Sequence, residues 1–153
     1  MGVVKLHQVY LGLGSNLGNK EENLRKAISL INEQIGTVVR QSALFYSKAW
    51  GYESENQFVN VAILVETSLS PHEVLSANQR IERLLGKTQA HATERKESDS
   101  MNHEVLVTYH DRPIDIDILL YDDLHIDEPQ LKLPHPMMQE RDFVMIPLKE
   151  IRK

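Results

Sequence analysis

The chain contains no cysteine. Neither a disulfide framework nor a thiolate zinc site can be built from it, and a reducing cytoplasm suits it. It lacks any apolar run approaching the roughly 18 residues of a membrane span, and its first residues, MGVVKLHQVY, lack the long apolar core of a signal peptide. A soluble protein with no membrane partner is expected. No stretch is dense in lysine and arginine, and the formal net charge is -5. A broad nucleic-acid footprint is therefore excluded, although a small anionic ligand could still meet local arginines. The pattern Gly-x-x-x-x-Gly-Lys-Ser/Thr is missing as well, so any ATP is bound without a Walker loop. GLGSNLG comes nearest to a dinucleotide fingerprint. Its spacing, Gly-x-Gly-x-x-x-Gly, is not the usual one, and the chain has no second mononucleotide-binding half.

With 153 residues, 41% of them hydrophobic, the chain fits one domain, residues 1–153, with its own core. HQVYLGLG alternates Val9, Leu11 and Leu13 with Gln8, Tyr10, Gly12 and Gly14, as a strand does. Asn19 then caps a helix in which Leu24, Ala27, Ile28, Ile31 and Ile35 recur at helical spacing, and Gly36 suits its stop. Two strands follow, at about residues 37–47 and 58–66. SPHE starts a second helix, with Ser70 as cap, Pro71 at the first helical position and Glu73 at the third, and Val74, Ile81 and Leu85 form its apolar stripe. A strand in RPIDIDILLYDD closes the series. The order β-α-β-β-α-β predicts an α+β, ferredoxin-like sandwich, an antiparallel sheet with helices on one face. If the apolar faces of its strands meet those helices, then Phe58, Asn60, Asp115, Asp117 and the glycines of the first strand look out of the open side.

The last of those strands carries a conflict. Ile114, Ile116 and Ile118 share one face, and Asp115 and Asp117 share the other with Leu119. Two carboxylates roughly 6.5 Å apart repel by about 2 to 3 kcal/mol at an effective dielectric near 20, and aspartate is a poor strand former. Either the face is simply solvated, or a divalent cation relieves the repulsion. Two carboxylates with water and phosphate is how Mg²⁺ is usually held, and a phosphate-bearing substrate is then implied. In QFVNVA an aromatic and an amide share one face, which suits a flat heterocycle: the ring stacks and the amide reads its edge. LPHPMMQERDFVMIPL offers His135, Arg141 and Phe143 in a segment with too many prolines to be a plain helix.

Taken together and in this order, LGSN, QFVNVA, QRIE, RPIDIDIL and LPHPMMQERDF resemble the 6-hydroxymethyl-7,8-dihydropterin pyrophosphokinases of folate biosynthesis, over nearly the whole chain. The resemblance implies transfer of pyrophosphate from ATP to 6-hydroxymethyl-7,8-dihydropterin, releasing AMP, with two Mg²⁺ ions on Asp115 and Asp117. It places Phe58 and Phe143 on the two faces of the pterin, Asn60 at its edge, and Gly14, Lys48 and Ala49 at backbone contacts. Gln79, Glu82, Arg112, Ile118, Lys132, His135 and Arg141 fall where the family binds ATP. Between Gly86 and Arg112 the family has a mobile loop with catalytic basic residues and an aromatic that closes over the pterin. Here that loop, at about residues 87–111, is longer. Lys87 stands at one basic position and Gln89 where a second would sit, with Arg95 and Lys96 as substitutes, and Tyr109 is the aromatic. Lys87 and Arg112 are the expected catalytic cations. His91, His103 and His110 read as solvated loop residues. A monomer is expected. The alternative is a non-catalytic ferredoxin-like module, ligand-binding or RNA-binding, but FVNVAILVE has one aromatic and no basic residue, whereas an RNA-reading strand needs several aromatics and cations.

Overall fold

A computed structural model describes residues 5–48, 57–87 and 113–152. Strand β1 (His7–Ser15) is followed by helix α1 (Lys20–Gln34), strands β2 (Thr37–Gln41), β3 (Phe45–Lys48) and β4 (Gln57–Thr67), and helix α2 (Pro71–Lys87). Strand β5 (Asp115–Tyr121), a small hairpin of β6 (Ile126–Glu128) and β7 (Leu131–Leu133), a 3-10 turn (Met138–Glu140) and helix α3 (Asp142–Ile151) complete it. The main sheet runs β2-β4-β1-β5 with every pair antiparallel, and β3 also pairs with β4.

The strand alternation sets the layers. Val9, Leu11 and Leu13 of β1, Val59, Val61, Ile63 and Val65 of β4, and Ile114, Ile116 and Ile118 all enter one buried cluster. Leu24, Ala27 and Ile31 of α1 and Val74, Ala77 and Ile81 of α2 fill it from the helix side. Each buried valine, leucine or isoleucine among them contributes about 1.5 to 3 kcal/mol, so both helices are held on this face. Their starts are as read from the sequence. The Asn19 side chain accepts from Glu22 N at 3.2 Å. Ser70 and Glu73 form a reciprocal capping box at 3.2 and 2.8 Å. At the end of α1, a Cβ on Gly36 would lie 2.1 Å from the Glu66 carbonyl oxygen, so only glycine lets the two backbones approach so closely.

Three features depart from the sequence reading. The strand expected over residues 37–47 is two strands, broken at the buried Ser42. Ser42 N donates to Ala62 O at 2.9 Å, but Ala62 N donates to the Ser42 hydroxyl at 3.0 Å instead of to a carbonyl, so a side chain stands in the ladder. In β5 the register shifts opposite Tyr10 and Leu11. Leu119 and Leu120 therefore both turn away from the main core, and Tyr121 turns into it.

The proline-rich C-terminal segment also contains a regular helix after all. Helix α3 runs ten residues with Pro147 inside it. The proline costs one backbone donor, but Pro147 and Leu148 are buried, and Leu148 packs with Leu119, Leu120 and Met138. Ile151 packs with Ala62 and Leu64. The Arg40 guanidinium donates to Ile151 O at 2.8 Å, and the Glu150 carboxylate accepts from Ala43 N at 3.0 Å, which ties the end of α3 to the break between β2 and β3. The sheet face opposite α1 and α2 is thus half covered. Among the described residues α3 packs on the half bearing Ala62, Leu64, Leu119 and Leu120, and the half bearing Gly14, Phe58, Asn60, Asp115 and Asp117 is the candidate ligand face.

Candidate active site

Register brings the site together. Gly14 pairs with Asn60 on one side and with Asp115 on the other, and Gly12 pairs with Asp117. Asn60, Gly14 and Asp115 therefore form one row across three strands, about 10 Å from end to end at ordinary strand spacing. The middle of the row has no side chain for a steric reason. A Cβ on Gly14 would sit 2.6 Å from the Asn60 amide nitrogen and 3.8 Å from the Phe58 ring. That amide lies over β1 and donates to Leu13 O at 3.4 Å, while its own carbonyl oxygen is buried without a hydrogen-bond partner. A buried acceptor left unpaired costs about 1 to 3 kcal/mol, which a donor on a ligand would recover. Gly14→Ala should leave the sheet folded, because a flexible amide can yield, but it should displace Asn60. Calorimetric titration with a pterin is expected to show affinity down about tenfold, the cost of one such hydrogen bond, with thermal stability nearly unchanged.

The turn after Gly14 is fixed by a residue that sequence reading passed over. The buried Asn23 amide on α1 donates to Leu17 O at 2.9 Å and to the Ser15 hydroxyl at 3.3 Å. Its only sequence signal is an amide inside an otherwise apolar helical stripe.

Beyond the row, α2 supplies a third carboxyl. Glu82 accepts from Ile116 N at 2.7 Å and so grips the outer edge of β5 behind the two aspartates. Burial, the Asp115 and Asp117 charges, and a hydrogen bond with Asp115 outweigh the bond from Ile116 and push its carboxyl up to about 8. Gln79 lies exposed one turn earlier on α2.

Asp117 also borders a cleft of about 220 Å³ between β5 and the β6–β7 hairpin. Leu75 of α2, Ile116 and Ile118 line one side, the turn from Pro129 to Lys132 lines the other, and His135 and Pro136 close the end. Three of the residues expected to meet a nucleotide, Ile118, Lys132 and His135, are thereby brought together. Leu75, Pro129, Leu131 and Pro136 join them without having been expected. The Lys132 ammonium pairs with Asp127 across the hairpin at 2.6 Å. His135 accepts from Met137 N through Nδ1 at 3.2 Å, which leaves Nε2 as its donor. Burial and the nearby Arg141 lower its pKa against the opposing pull of Asp115, so it is neutral at pH 7. Arg141, half-buried, donates to Met137 Sδ at 3.5 Å and lies 5.6 Å from the centre of the Phe143 ring.

Ala49, Tyr109 and Arg112, the side chains of Lys48 and Lys87, and the loop at 88–111 lie outside the described residues. Among the described residues no three histidine, aspartate or glutamate side chains are grouped so as to hold a metal ion by themselves. Two aspartates on one face, backed by a carboxyl that their charges help to keep protonated, fit an ion that takes its remaining ligands from water and phosphate.

Comparison with known proteins shows the family. The family model described as 7,8-dihydro-6-hydroxymethylpterin-pyrophosphokinase matches residues 10–153. The chain belongs to this family. The 2-amino-4-hydroxy-6-hydroxymethyldihydropteridine pyrophosphokinase of Porphyromonas gingivalis is 40% identical over 144 residues, covering 94% of this chain and 89% of that protein. The enzyme of the same name from Bacillus subtilis is 38% identical over 143 residues, covering 93% and 76%. Among solved structures, the wild-type HPPK-DHPS of Plasmodium falciparum with SDX-DHP aligns with a TM-score of 0.66 at 15% identity, over 95% of this chain and 40% of that one. At that identity the likeness speaks for the pyrophosphokinase fold alone. Among the described residues no helix is long and apolar enough to cross a membrane.

Proposed function

We propose that this chain transfers the pyrophosphoryl group of ATP to 6-hydroxymethyl-7,8-dihydropterin, giving the pterin diphosphate and AMP, a step of dihydrofolate biosynthesis. The observation that carries this reading is the row Asn60-Gly14-Asp115 on the sheet face opposite α1 and α2. It sets an amide with an unpaired buried acceptor beside a bare glycine floor at one end and paired carboxylates at the other. A flat heterocycle with ring donors suits the first end, and a polyphosphate with its counter-ion suits the second.

Phe58, two residues from Asn60 on the same strand face, offers one stacking surface, and Phe143 in the first turn of α3 offers another. The nucleotide lies in the cleft between β5 and the β6–β7 hairpin. His135 Nε2 and the Arg141 guanidinium donate toward its phosphates. Asp115 and Asp117 would hold Mg²⁺, which when bound neutralises phosphate charge and orients the triphosphate. The pterin hydroxymethyl oxygen attacks the β-phosphorus and its proton passes to solvent. The bond from that phosphorus to the α,β-bridging oxygen breaks, and AMP leaves. The residues contribute mainly by placing the two substrates along one row.

Phe58→Ala and Phe143→Ala should each weaken pterin binding by about 1 to 3 kcal/mol and leave nucleotide affinity largely alone. Separate titrations resolve the two ligands, and equal losses for both would count against stacking. The reaction itself is tested by mixing the protein with Mg-ATP and the pterin alcohol and separating the products. AMP and pterin diphosphate in equal amounts are expected. ADP, or nucleotide hydrolysis indifferent to the pterin, would contradict the assignment.

A further inference from the structure

The β6–β7 hairpin forms a two-stranded sheet of its own, with three residues in each strand and Pro129-Gln130 as its turn. Such a hairpin is marginal by itself, so its place depends on what it touches. Ile126, Leu131 and Leu133 anchor one side in the main core. At the turn end of the same face, where Glu128 pairs with Leu131, there is a polar link. His72, exposed in the first turn of α2, bonds Glu128 through Nε2 at 2.8 Å. The same Glu128 oxygen accepts from the Gln130 amide at 3.2 Å. His72 lies three residues before Leu75 and so on the same face of α2. Leu75 lines one wall of the cleft, and Gln130 and its neighbours line the opposite wall. Glu128 is the residue immediately before that turn. One carboxylate thus joins the helix wall of the cleft to the hairpin wall and orients a side chain on its rim.

We propose that His72 is a positioning residue for the nucleotide: by bonding Glu128 it straps the β6–β7 turn to α2 and sets the width of the cleft. The inference rests on the cleft being the nucleotide site. It explains why an exposed pair, which contributes little to global stability, can still matter, because it acts on the turn end of a short hairpin that forms one wall of the cleft. His72 itself touches no substrate.

The test is titration of the wild type and variants with a non-hydrolysable ATP analogue and, separately, with the pterin alcohol, together with steady-state kinetics. His72→Ala is expected to weaken the analogue about two- to fivefold, the range of one surface pair, and to raise KM for ATP to match. Pterin affinity and kcat at saturating ATP should hold. Alanine is a good helix former at an exposed helical position, so folding is preserved. His72→Gln, whose amide can still donate to Glu128, should restore most of the loss. The double variant His72→Ala/Glu128→Ala should lose no more than the worse single variant. An unchanged analogue affinity in His72→Ala, equal losses for both substrates, or additive losses in the double variant would overturn the strap. Amide exchange at Leu131 and Lys132 separates this from failure of the site itself. The analogue should slow exchange there in the wild type. No slowing would overturn the cleft as the nucleotide site and the strap with it, whereas slowing without a His72 effect would overturn the strap alone.

Discussion

Asp115→Asn and Asp117→Asn are each expected to cut turnover by at least about a hundred- to a thousandfold, the scale on which losing one electrostatic contact to a reacting group is felt. Asparagine keeps the shape and removes the charge. The backbone of β5 keeps its pairing with β1, and Ile114, Ile116 and Ile118 keep their places in the core. Stability should therefore hold. Without Mg²⁺ it should rise, because the substitution also removes a carboxylate repulsion of about 2 to 3 kcal/mol. Initial rates paired with thermal melts, with and without Mg²⁺, distinguish this from ordinary damage. Near-normal turnover in both variants would remove the aspartates from the chemistry.

Glu82→Gln is expected to change how stability depends on pH. Burial first, and then the Asp115 and Asp117 charges, lift the Glu82 carboxyl from 4.5 in the unfolded chain to about 8 in the folded protein. The folded state then keeps a proton that the unfolded state releases. The contribution of this group is complete below pH 4.5 and is lost as pH rises toward 8. The slope reaches at most about 1.4 kcal/mol per pH unit for one proton. Glutamine cannot ionise, yet its amide oxygen can still accept from Ile116 N. Melting temperatures of the metal-free protein in chelator should fall with rising pH over this range in the wild type. In Glu82→Gln they should stay flatter and end higher at the alkaline side. Parallel profiles would mean that Glu82 is ionised across the range.

Much of this was legible in the residues because period and face are local properties. Alternation in β1, β4 and β5 assigns Val9, Val61 and Ile116 to the core and Gly14, Asn60 and Asp117 to the opposite face without reference to anything distant. The capping residues Asn19, Ser70 and Glu73 likewise act within three residues. What escaped depends on contacts distant in sequence. The Ser42 hydroxyl replaces a carbonyl only because Ala62 lies opposite it. Pro147 is tolerated in α3 because the helix lies against Leu119 and Leu120, which a register shift turns toward it. Strands of three residues, such as β6 and β7, are too short to display a period, so the hairpin went unread, although Lys132 on it was read as a nucleotide contact. In the site, the chemistry of Asn60 and the aspartates was visible one strand at a time. Their alignment through Gly14 required the register. Glu82 read as a nucleotide contact, while its bond to Ile116 N makes it a partner of the strand edge as well.

The central claim is that the sheet face opposite α1 and α2 holds the metal-nucleotide on Asp115 and Asp117, next to the pterin on Asn60 and Gly14. Electron spin resonance of Mn²⁺ substituted for Mg²⁺ tests it most directly. With the non-hydrolysable ATP analogue and pterin present, the account predicts two Mn²⁺ ions bound per chain, with binding lost in Asp115→Asn and Asp117→Asn while the pterin still binds. Equal Mn²⁺ binding in the wild type and both variants would contradict it.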